Sequence, residues 1–202
     1  MLSLSRSSAT RPRICITVSG RSLCRPSDKA AGERGSAVTV KNIVLIGMPG
    51  CGKSTVGVIL AKTIGAEFVD TDLVIQKREG RLLQQILDTR GVKAFLEAEE
   101  AAVRSLACHQ TVIATGGSVV YSEAAMEHLR RDGTIIYLQL SYEEMMRRLD
   151  NITTRGIVIP EGSTMRDVFD QRSGLYERYA DVTLPCSGRT VEETVEAIVK
   201  AV

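Results

Sequence analysis

Gly47-Met48-Pro49-Gly50-Cys51-Gly52-Lys53-Ser54 is an unbroken G-x-x-x-x-G-K-[ST] run, and these are the residue types that hold a chain of phosphates. Glycines let backbone N–H groups turn inward around a phosphate, and a following helix start adds partial positive charge. A lysine in the position of Lys53 reaches the β- and γ-phosphate oxygens, and a hydroxyl in the position of Ser54 ligates Mg²⁺. Residues 47–55, Thr55 included, are therefore the expected ATP site, on condition that a strand precedes the run and a helix follows it. Cys51 reads either as a small tolerated residue or as a redox-sensitive thiol.

Two further clusters stand where strands are expected to end. Asp70-Thr71-Asp72 places two carboxylates two residues apart. At the carboxyl end of a parallel strand, such side chains face the crevice where ligands bind. One then sits near the Mg²⁺ shell and the other over an acceptor hydroxyl; the plainer reading is a loop start with an Asp helix cap. Gly116-Gly117 permits close backbone approach to a ligand, or forms a simple turn. His109 and His128 have no partner at catalytic spacing and read as exposed, and Met145-Met146 reads as core or surface filler.

The elements that must position these clusters are legible as an alternation. Residues 42–46 form a short β-branched run expected as a buried parallel strand. Residues 54–64 carry Val56, Ile59, Leu60 and Ile64 at helical spacing, stopped by Gly65. Strands are then expected over 67–70, 111–115, 134–140 and 182–184, with helical segments over 73–107 broken near Gly80 and Gly91. Ser122 is a candidate cap with Glu123 in the first turn, and Ser141-Tyr142-Glu143-Glu144 has capping-box form. A polar stretch over 150–162 separates the fourth strand's helix from one over 164–179, and residues 190–202 close the chain as a helix. Strands alternating with helices predict an α/β fold of three layers, a parallel sheet with helices on both faces.

Composition limits the function classes. Of 202 residues, 44% are hydrophobic and 25% charged, an ordinary globular balance. No apolar run approaches the ~18–20 residues of a membrane span. Residues 1–40 hold seven Lys/Arg against two acids, whereas 41–202 hold nineteen against twenty-two. The mildly acidic 41–202 segment argues against nucleic-acid binding through a broad basic face. Residues 1–40 are expected to be a disordered basic extension and 41–202 the folded domain. Arg- and Ser-rich, acid-poor composition reads as an organellar transit peptide; the alternative is a mis-assigned start, with translation beginning near Val38 or Val40. Five cysteines without a CxxC pair suggest free thiols in a reducing compartment, hence the cytoplasm, or a plastid or other organelle if the extension is a transit peptide.

The domain resembles the shikimate kinase family over nearly all of 41–202. The resemblance rests on Phe68-Val69-Asp70-Thr71-Asp72, Gly80-Arg81, Phe95 with Glu99, the 114–117 stretch and Arg172-Ser173-Gly174-Leu175-Tyr176, in the family's order and spacing. It implies a P-loop kinase fold of the nucleoside-monophosphate-kinase type, with five parallel strands in order 2-3-1-4-5 and a mobile lid. It further implies ATP-dependent phosphorylation of the 3-hydroxyl of shikimate with Mg²⁺, by a monomer whose partners are ATP and the acceptor. Lys53, Asp72 and Arg155 would be catalytic, Asp72 holding the acceptor hydroxyls and acting as base and Arg155 closing from the lid. Asp70 would bind Mg²⁺ through water. Gly116 and Gly117 would line the acceptor pocket, Arg172 would pair with its carboxylate, and Arg148 and Arg189 would flank the adenine.

Three positions depart from the family's pattern. Leu96 stands where an arginine normally follows the phenylalanine and clamps the carboxylate with Arg172. Loss of a charge-assisted bond of this kind costs ~2–3 kcal/mol, or roughly 30- to 150-fold in affinity. Lys93, one turn earlier, is a candidate substitute but lacks the bidentate fork. Ser118 replaces a third glycine, and Gly156 and Gly174 replace prolines. Two alternatives stay open: a related kinase with a different small hydroxylated acceptor, and a non-catalytic nucleotide-binding relative.

Overall fold

The computed structural model describes residues 41–149, 157–159 and 162–202. Arg155 and Gly156 lie outside the described residues, as do the 1–40 extension and most of the expected lid. Five strands, β1 (Asn42–Ile46), β2 (Glu67–Asp70), β3 (Thr111–Ala114), β4 (Gly133–Gln139) and β5 (Val182–Pro185), form one sheet in the order β2-β3-β1-β4-β5. Every pairing is parallel. Parallel strands need crossovers, which here contain helices α1 (Lys53–Ile64), α2 (Thr71–Glu79), α3 (Leu83–Arg104), α4 (Glu123–Asp132), α5 (Tyr142–Leu149) and α6 (Met165–Tyr179); α7 (Val191–Ala201) follows β5.

The apolar run of β1 is continuous because both of its faces are covered. Ile43 and Leu45 pack with Val56 and Leu60 of α1 and Ile198 of α7. Val44 and Ile46 pack on the other face with Met126 of α4, Met145 of α5 and Tyr176 of α6. A third, smaller core joins Ile75 of α2 to Ile86, Phe95 and Ala102 of α3, with Val158 packed among them.

The expected boundaries are met within two residues for most elements, and the caps show why. Ser122 accepts from the Ala125 amide, and Thr164 and Thr190 form reciprocal boxes with Asp167 and Glu193. The break near Gly91 is a non-helical residue inside α3, at φ 76° and ψ 176°. Two expectations need correction. Ser141 Oγ accepts from the Glu144 amide at 3.2 Å, but the Glu144 carboxylate turns to Arg147 and Arg148 instead of completing a box. His128 is half-buried rather than exposed, its Nε2 2.9 Å from the Leu106 carbonyl oxygen.

Candidate active site

The glycine loop joins β1 to α1, which satisfies the condition set by the motif. Its backbone conformation demands the glycines. Gly47 has φ 145°, and a Cβ there would lie 2.7 Å from the Leu138 carbonyl oxygen. Lys53 is buried, and its Nζ donates to the carbonyl oxygens of Gly47 at 2.7 Å and Met48 at 3.0 Å. The ammonium is thus held inside the curl of the loop. Cys51 is buried with its Sγ 3.6 Å from that Nζ, while Thr55 is exposed on α1. Gly50 and Gly52 both take left-handed conformations, at φ 82° and 90°.

Asp70 holds two positions at once. Its Oδ1 accepts from the Asp72 amide at 2.9 Å, capping α2, and its Oδ2 accepts from Ser54 Oγ at 2.6 Å. The cap and the expected metal-side role are therefore the same carboxylate. Thr71 between the two aspartates is fully buried, and its Oγ1 accepts from the Gly116 amide at 3.0 Å. Thr115 donates to the Leu45 carbonyl at 3.0 Å. The ends of β1, β2 and β3 are thereby laced together.

These ends line one cavity of about 540 Å³, with Pro49, Lys53, Ser54, Asp70, Asp72, Gly116 and Gly117 all in its wall. That volume suits a small-molecule site. Gly116 and Gly117 are more than a turn. A Cβ on Gly116 would fall 2.1 Å from Glu99 Oε1, and one on Gly117 would fall 3.1 Å from Pro49 Cδ.

Arg172 on α6 is 1% exposed and stands behind Gly117. Its Nε donates to the Tyr121 hydroxyl at 3.1 Å and its Nη2 to the Val158 carbonyl at 2.7 Å, with the guanidinium 5.1 Å over the Tyr121 ring. Tyr176, pushed well above the ordinary tyrosine range by burial, donates to the Gly117 carbonyl at 2.6 Å. Leu96 and Lys93 do not join the cavity. They line a separate apolar recess with Val92 and Tyr121, and Glu99 and Ser118 stand between the two spaces. Arg148 and Arg189 also lie outside the cavity wall. Arg148 pairs with Glu144 and approaches the Gly50 carbonyl at 3.5 Å, and both arginines act on buried Cys186, whose thiol burial pushes up to about 11.

The sequence reading assigned no role to Thr71, Tyr121 or Tyr176, although Tyr176 closes a quoted stretch. Thr71 stood inside a quoted motif, but only the register of β2 with β3 shows what its hydroxyl meets.

A sequence model described as shikimate kinase matches residues 49–202. The chain belongs to the shikimate kinase family. It is 37% identical over 164 residues to the shikimate kinase of Thermodesulfovibrio yellowstonii, covering 80% of this chain and 94% of that one. It is 35% identical over 165 residues to the shikimate kinase of Caldanaerobacter subterraneus, covering 80% and 96%. Among solved structures, shikimate kinase from Acinetobacter baumannii in complex with shikimate aligns with a TM-score of 0.72 at 29% identity, covering 81% of this chain and 93% of that one. The sheet order implied by the shikimate kinase resemblance is the one observed.

Proposed function

We infer that the chain transfers the γ-phosphoryl group of ATP to the 3-hydroxyl of shikimate, giving shikimate 3-phosphate and ADP. The observation that carries this reading is the convergence of Lys53, Ser54, Asp70 and Asp72 on one cavity beneath Gly116 and Gly117, with the Arg172 guanidinium behind Gly117.

The acceptor oxygen attacks the γ-phosphorus as the bond to the β–γ bridging oxygen breaks, and the hydroxyl proton passes to the Asp72 carboxylate. Lys53 neutralises charge on the β- and γ-oxygens, and the loop's amides surround the β-phosphate. Little covalent work falls to the protein, so positioning carries the catalysis. Arg172 pairs with the acceptor carboxylate from beside Gly117, and Leu96 offers it no second guanidinium. Arg155, outside the described residues, is the cation assigned to closure over the phosphates.

The donor set at Ser54 and Asp70 is hard oxygen, 2.6 Å apart, which suits Mg²⁺ bound mainly through water and phosphate. When bound there, Mg²⁺ would spread the charge of the β- and γ-phosphates. ATP and shikimate are the expected partners of a monomer. The free thiols of Cys51, Cys108 and Cys186 fit the reducing cytoplasm. No helix among the described residues is long and apolar enough to cross a membrane.

Coupled ADP release with ATP, Mg²⁺ and shikimate, run on wild type beside Lys53→Ala, tests the reading. Shikimate-dependent turnover that the substitution abolishes is the expected result. ATP binding without shikimate-dependent turnover would overturn the acceptor assignment.

A further inference from the structure

Arginine offers a carboxylate two forks, the side-on edge of Nε with Nη2 and the end-on edge of Nη1 with Nη2. In Arg172 the side-on edge is already spent. Its Nε donates to the Tyr121 hydroxyl at 3.1 Å and its Nη2 to the Val158 carbonyl at 2.7 Å. The Tyr121 proton is itself committed, to Gln171 Oε1 at 3.0 Å, so the phenol oxygen meets Nε as an acceptor. The Tyr121 ring lies 5.1 Å from the guanidinium carbon and adds a cation–π contact. What remains is the Nη1 end, 3.4 Å from the point that a Cβ on Gly117 would occupy, where Gly117 lines the cavity.

We propose that Tyr121 is a positioning residue for the acceptor carboxylate: its hydroxyl, by accepting from Nε, turns the Nη1 end of Arg172 toward Gly117 before the acceptor arrives. This rests on the shikimate-phosphorylating reading, in which Arg172 pairs with the acceptor carboxylate. Tyr121 touches no substrate in this account and acts only through Arg172.

An arginine stem left free to rotate is ordered only when its anion binds, and that ordering lowers affinity. A guanidinium held at Nε and Nη2 is ordered beforehand. Leu96 makes this alignment matter more, because no second guanidinium shares the carboxylate; Leu96 lines the apolar recess with the Tyr121 ring instead. The Val158 carbonyl also holds Arg172, but a backbone oxygen is present whatever residue stands at 158. Among the described residues the Tyr121 hydroxyl is the side-chain acceptor for Arg172, so a change at 121 releases Nε while the rest of the site stays intact.

The test is steady-state kinetics on the full chain, with kcat and KM for shikimate and KM for ATP, in wild type, Tyr121→Phe, Arg172→Lys and the double variant. Tyr121→Phe keeps the ring and removes the acceptor oxygen. Shikimate KM is expected to rise roughly tenfold, with kcat and ATP KM within about twofold of wild type. Lysine has no Nε–H, so adding Tyr121→Phe to Arg172→Lys should raise shikimate KM less than about twofold further. A shikimate KM unchanged by Tyr121→Phe, or raised by the same factor on both backgrounds, would overturn the proposal while the kinase reading stands. Equal rises in the KM values for shikimate and ATP would do the same, since a merely structural tyrosine acts on both sites. Absence of shikimate-dependent turnover in wild type would overturn the acceptor reading itself, and this assignment with it.

Discussion

Thr71 Oγ1 accepts the backbone N–H of Gly116 at 3.0 Å across forty-five residues of chain, between two aspartates that both face the cavity. One buried hydroxyl therefore sets the height of the Gly116-Gly117 segment relative to Asp70 and Asp72. Thr71→Val keeps the shape and removes the acceptor, leaving a buried N–H unpaired at a cost of about 1–3 kcal/mol. Thermal unfolding is expected to show a Tm lowered by roughly 2–4 °C per kcal/mol, with shikimate KM raised and both restored by Thr71→Ser. A Val variant with wild-type Tm and KM would remove this bond from the account.

Asp70→Asn separates the helix cap from the metal-side charge, because asparagine caps as well as aspartate. Unfolding free energy is expected to stay within about 0.5 kcal/mol of wild type on this account. The Mg²⁺ concentration needed for half-maximal activity should rise severalfold, since Ser54 then faces a neutral amide. A titration of rate against Mg²⁺ decides it, and an unchanged Mg²⁺ requirement would put the metal elsewhere.

Arg172→Lys is not a conservative change here, since the guanidinium bonds Tyr121 and Val158 while lying beside Gly117. A point charge on a flexible stem does not reproduce that fork. Shikimate KM is expected to rise roughly 30-fold or more, with ATP KM little changed. Equal increases in the two KM values would indicate loss of the fold rather than of an acceptor contact.

Glu99 also shapes stability against pH. Its carboxyl moves from an ordinary 4.5 to about 7, chiefly through burial, so the folded state binds the extra proton between those limits. Stability contributed by this group is full below about pH 4.5, falls as pH rises to about 7, and is level above. The loss is on the order of 3 kcal/mol. Glu99→Gln should therefore gain stability relative to wild type at pH 8 and little at pH 5, as read by denaturant unfolding at the two values. An equal difference at both would mean that Glu99 is charged throughout.

Much of the molecule was legible from residue type and spacing. The glycine loop announces its own geometry, because few residues other than glycine occupy φ near 80–145°, and its lysine and serine are local to it. The strands at 42–46 and 67–70 and the cap at Ser122 are short-range features written in adjacent residues. Asp70 and Asp72 were found because a strand end precedes them. The placement of Leu96 and Lys93 was not legible: their helix turns them to a recess walled from the cavity by Glu99 and Ser118.

Sequence alone thus determined the phosphate-binding loop, the alternation of strands and helices and the family, since each depends on local conformational preference or on spacing along the chain. Tertiary structure alone decided that Thr71 holds Gly116, that Arg172 is bound by Tyr121 and the Val158 carbonyl, and that Glu99 is buried near Asp72 with one oxygen unpaired among the described residues. The reason is physical. Hydrogen bonds between residues tens of positions apart, and the desolvation that moves a carboxyl's protonation, arise only when the strand ends and α3 and α6 pack against one another.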